Sequence, residues 1–77
     1  MNSSFGLELY VGNQHVGHES VKWKLYPENT NNLFPKIVEH KLVIPPYYCG
    51  IDTNFVLCAE DTAVPPKVLY SIPLIIQ

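Results

Sequence analysis

Few side chains in this sequence have chemistry to offer. His15 and His18 stand three apart with Gly17 between them, and His40 is the only other histidine. Imidazole nitrogens ligate zinc, which takes four ligands, or three and a water. His40, Cys49 and Cys58 would have to complete such a set from distant parts of the chain. No Cys-x-x-Cys knuckle accompanies them, and His15-x-x-His18 falls where the chain bends. Both are therefore read as solvent-facing loop histidines, and no metal or other cofactor is expected.

Acid–base catalysis needs a carboxylate or imidazole held beside its partner in a pocket. Glu39 and His40 are neighbours in sequence, which on a strand sends them to opposite faces. Glu60-Asp61 closes an apolar run and reads as a solvated turn. No serine sits in a nucleophile-elbow context, and no glycine-rich loop is present to cradle phosphate. The chain is expected not to be an enzyme. Cys49 and Cys58 are the only cysteines, nine positions apart. They would bridge if residues 47–49 and 55–58 formed facing strands, and would otherwise be reduced, buried hydrophobes. The second reading is favoured.

Aromatic residues offer another chemistry, stacking against a small ligand. Trp23 is in phase with Val21 and Leu25 and reads as core, which leaves Tyr10, Tyr26, Tyr47 and Tyr48 as candidate ligand-binding residues.

The elements that must carry these residues read as strands. In residues 5–11, Phe5, Leu7, Leu9 and Val11 alternate with Gly6, Glu8 and Tyr10; in residues 21–26, Val21, Trp23 and Leu25 alternate with Lys22, Lys24 and Tyr26. Gly12-Asn13 suits a two-residue turn with positive φ at Gly12, returning the chain through residues 14–16. Residues 27–32 (Pro-Glu-Asn-Thr-Asn-Asn) are a loop. Residues 33–44 favour one strand over a short helix, with Val38, His40, Leu42 and Ile44 on one face and Pro35 confining its start to an edge or bulge. Further strands are expected at 55–60 and 67–76, the last marked by Pro73 as an edge or as two pieces. The sum is one all-β domain over residues 1–77: a small antiparallel sandwich or barrel of five to six strands with little or no helix.

Composition narrows the function class. The chain has 77 residues, 47% of them hydrophobic, and a net charge of -2, which is too apolar and too weakly charged for disorder. Its five lysines come with no arginine, so no nucleic-acid partner is expected. No apolar run is long enough to span a bilayer, and no membrane partner is expected. The first residues lack the basic start and apolar block of a signal peptide, which leads to the expectation of a cytoplasmic protein.

The most informative feature is a surplus of apolar side chains near the C-terminus. Val68, Tyr70, Ile72, Leu74 and Ile76 lie on one side, Leu69 and Ile75 on the other, with Lys67 and Ser71 the only polar members nearby. A terminal antiparallel strand normally keeps one face polar, and an uncharged apolar edge invites pairing. The expected interface is Val68, Tyr70, Ile72, Leu74, Ile75 and Ile76, joined by the similarly two-sided Leu42 and Ile44. The expected function is assembly or protein binding, as a homo-oligomer or with a protein partner, of the kind common among virus- and phage-encoded structural or inhibitory proteins. The alternative is a small-ligand-binding β-domain with a tyrosine-lined groove.

Overall fold

The computed structural model describes residues 2–46, 48 and 54–76. Its strands are β1 (Ser3–Gly6), β2 (Leu9–Val11), β3 (Gln14–Val16), β4 (Lys22–Tyr26), β5 (Lys36–Val38), β6 (Lys41–Ile44), β7 (Asn54–Glu60) and β8 (Val68–Ile75). A single 3-10 turn, His18–Ser20, is the one helical element among the described residues, and no helix is long and apolar enough to cross a membrane. The strands form three antiparallel sheets, in the orders β1-β6-β5, β2-β3 and β4-β7-β8. The fold is all-β as expected, built as three separate ladders among the described residues. Residues 47 and 49, on which a bridge between Cys49 and Cys58 would depend, lie outside them.

Two of the expected strands each divide in two, which raises the count above five or six. Residues 5–11 leave one sheet and enter another at Leu7-Glu8. Phe5 pairs with Leu42, Leu9 pairs with Val16, and between them the Leu7 N–H donates to the His40 carbonyl at 2.8 Å. Leu9 is accordingly buried while Phe5 and Val11 are exposed, so the alternation does not mark one continuous buried face.

Residues 33–44 form a hairpin rather than one strand. Val38 pairs with Lys41, and Glu39-His40 is the two-residue turn, with Glu39 at φ 58°. That left-handed conformation is normally given to glycine or asparagine, so nothing in the local sequence announces it. Ile37 and Leu42 consequently face each other across the hairpin, and the opposite-faces argument for Glu39 and His40 no longer applies. The other local expectations hold. Gly12, at φ 62°, turns β2 into β3, and β5 after Pro35 is an edge strand, as is β8 with Pro73 inside it.

The β4-β7-β8 sheet carries the core. Its inner face presents Leu25 and Phe55 to Leu42 and Ile76, with Leu7, Ile37, Leu57 and Leu74 packed around them. A second cluster joins Ala59 and Val21 to Leu9, with Trp23 against it as anticipated. The outer face is covered in part by residues 61–67. There the Asp61 carboxylate accepts from the N–H groups of Ala63 and Lys67, and the Asp61 N–H donates to the Lys67 carbonyl. Cys58 lies buried in β7 as a free thiol.

This core is shallow. No large side chain among the described residues is fully enclosed. The radius of gyration is 12.9 Å, where a compact chain of this length has about 11.5 Å. The accessible surface is 5747 Å², against about 4,700 Å² for a typical folded monomer of this mass.

One polar contact ties the outer face together. The Tyr26 hydroxyl donates to Oε2 of the buried Glu60 at 3.2 Å. Desolvation, and then the Glu60 charge, push the Tyr26 phenol above its ordinary value. The fold therefore favours the neutral phenol, and this stabilisation is complete below the unfolded pKa near 10 and lost as pH rises through the folded value. Urea unfolding followed by Trp23 fluorescence should show wild type losing more stability than Tyr26→Phe between about pH 7 and about pH 11. Equal losses in the two proteins would show that the fold does not raise the Tyr26 phenol.

Candidate functional site

Sheet edges expose unpaired main-chain groups, and most edges here are blunted. β4 carries Lys22 and Lys24, the latter 3.7 Å from the Glu28 carboxylate. β5 is three residues long and begins with Lys36; β1 is four residues long and begins with two serines. Short length and charge are the usual protections of an exposed edge. β8 has neither. It is eight residues long with no charged side chain, and Val68, Leu69, Tyr70, Ile72 and Ile75 are each between 43% and 62% exposed.

The register explains why these side chains are uncovered. Leu25, Leu57 and Ile72 lie in one cross-strand row on the inner face, as do Trp23, Ala59 and Tyr70. Each row begins buried or half-buried at β4 and ends in the open at β8. Tyr70 and Ile72 thus form one wall of a groove whose other residues include Leu7, Leu9, Tyr10 and Trp23. On the outer face Ile75 and Pro73 line a second apolar groove with Tyr26 and Val56.

Several expected interface residues are used internally. Leu42 and Ile76 are buried in the chain's own core, and Ile44 and Leu74 are half-buried against it. This corrects their assignment to the surface: the Leu42 side chain points inward because the β5–β6 hairpin sets it opposite Ile37 and toward Phe55 and Leu25. The exposed patch is Val68, Tyr70, Ile72 and Ile75, with Leu69 added. Leu69 belongs to the same two-sided apolar pattern in the sequence.

The candidate ligand-binding tyrosines do not converge. Tyr10, on β2, and Tyr26, on β4, line different grooves, whereas Tyr48 packs against the core with its ring 5.8 Å from that of Phe34. Tyr47 lies outside the described residues.

The histidines do converge. Glu8, just before β2, reaches across the hairpin to hydrogen-bond His15 Nε2 on β3. Its other oxygen, Oε1, is 3.5 Å from Nε2 of His18, the first residue of the 3-10 turn. His40, from the β5–β6 turn, lies against His18 with ring centroids 4.0 Å apart and planes 31° from parallel. All three histidines of the chain meet in one cluster; His15 and His18 face solvent as expected, but from strand β3 and the 3-10 turn rather than from a loop. The hydrogen bond from His15, and then the nearby imidazoles, lower the Glu8 carboxyl below its ordinary value. Cys58, on β7 of another sheet, is not part of this group.

No protein-family model, curated protein or solved structure matches the chain.

Proposed function

We propose that this chain is a non-enzymatic assembly module that pairs with a second copy of itself along β8. The observation that carries the reading is the long uncharged edge: eight residues without charge, broken only by Pro73, with apolar side chains exposed on both faces. A second copy is the occupant of choice because an antiparallel strand pairs with its own two-fold mate, which joins two β4-β7-β8 sheets into one continuous sheet. Such pairing keeps each face on its own side, so the inner-face Tyr70 and Ile72 meet apolar residues of the same row in the partner. An uncharged edge supplies no electrostatic code for a different protein, and two copies at -2 each repel only weakly.

Amide hydrogen exchange locates the contact. Raising the protein concentration from below to above the association range should slow exchange along Val68–Ile75, while Ser3–Gly6, at the edge of another sheet, stays unchanged. Exchange along β8 that is independent of concentration would refute pairing at this edge.

A further inference from the structure

We propose that Glu8, His15 and His18 form a binding site for a divalent first-row transition ion, with zinc(II) the natural occupant. The carboxylate oxygen and the two imidazole nitrogens all lie within 4.8 Å of one another. Ligands about 2.0–2.1 Å from a tetrahedral zinc stand roughly 3.3 Å apart, so the set closes on an ion with side-chain movements of about an ångström. Two histidines and one carboxylate are a complete protein contribution to a zinc site whose fourth position is held by water.

A second observation is independent of the spacing. His18 Nε2 is shielded from solvent yet has no hydrogen-bond partner among the described residues; its approach to Glu8 Oε1 at 3.5 Å is too long to satisfy it. A nitrogen shielded from solvent that faces a carboxylate without closing a full hydrogen bond to it leaves a gap that an ion held by both groups would fill. The backbone supplies the geometry. Gly12-Asn13 folds β2 onto β3, the extended Gly17 leads into the 3-10 turn, and His18 is thereby set on the same side as His15. His40 is a positioning residue: its ring covers one face of His18 and limits how that imidazole turns. An ion here would tether the β2–β3 hairpin to the 3-10 turn that follows it, a staple of the kind small scaffolds use when the core alone is thin.

The test is titration of the full chain, freed of metal, with zinc sulfate by calorimetry, read beside the histidine ring resonances in NMR. One zinc should bind per chain, shifting the rings of His15 and His18 most. Glu8→Gln should weaken binding at least tenfold and His15→Asn should abolish saturable binding, with both variants retaining the wild-type circular dichroism spectrum. His40→Ala, which uncovers His18, should weaken zinc binding, and His40→Phe, which puts a ring back over His18, should restore it. Should a variant lose its fold, the wild-type ring shifts decide alone. Absence of saturable one-to-one binding by wild type, ring shifts that spare His15 and His18, or undiminished binding in folded Glu8→Gln and His15→Asn would each overturn the site.

Discussion

Phe55→Ala is expected to leave the chain largely unfolded. Phe55 is buried at the centre of the main cluster, touching elements from two sheets through Leu25, Leu42 and Ile76. Truncating a buried phenylalanine costs about 3–5 kcal/mol, part from lost transfer energy and part from the cavity left behind. Stability of roughly 0.05–0.15 kcal/mol per residue gives a chain of this length about 4–12 kcal/mol in total. The low end of that range applies to a core in which no large side chain is fully enclosed. Val56→Ala, one position away and on the exposed outer face, should cost about 0.5 kcal/mol or less. Urea unfolding followed by Trp23 fluorescence separates the two. A Phe55→Ala midpoint equal to that of wild type would place the core elsewhere.

The second large effect is on association. Ile72→Lys puts a charge on the exposed end of an inner-face row, where a single chain can keep it in water. Across a β8–β8 contact that ammonium would be buried without a partner, and the two-fold axis would impose the cost twice. Hot-spot losses of about 2–4 kcal/mol at each of the two copies together correspond to a dimer weakened by at least about seven-hundred-fold. The variant should remain folded, with the circular dichroism of wild type. Val38→Lys is the matched control. It changes an equally exposed valine on β5, at a different edge, and should leave association as it was.

The strands whose polar and apolar residues alternate against a single partner were legible from sequence. Residues 21–26, which include β4, show Val21 and Leu25 buried and Lys22 and Tyr26 exposed; Gly12-Asn13 announced its own turn; Pro73 marked β8 as an edge. Two features were hidden for physical reasons. Glu39 adopts a left-handed conformation that its side chain does not advertise, so the β5–β6 hairpin reads as one long strand. The break at Leu7-Glu8 is fixed by a long-range hydrogen bond to His40, which no local pattern encodes.

The histidine cluster was hidden by those same two features. Placing Glu8 beside His15 and His18 depends on the chain leaving β1 before that point, and bringing up His40 depends on the hairpin turn. The apolar C-terminal strand, by contrast, was visible because an excess of hydrophobic residues on both sides needs no tertiary information. What the sequence could not separate was which of those residues the chain keeps for itself. Leu42 and Ile76 go inward, and Val68, Tyr70, Ile72 and Ile75 stay out.

The central claim is that β8 is covered by a second copy, and the mass of wild type in solution tests it most directly. Light scattering behind size exclusion, run over a concentration series reaching tens of micromolar, should give twice the chain mass of 8.7 kDa at the upper end. A mass of 8.7 kDa throughout the series would contradict self-pairing along β8.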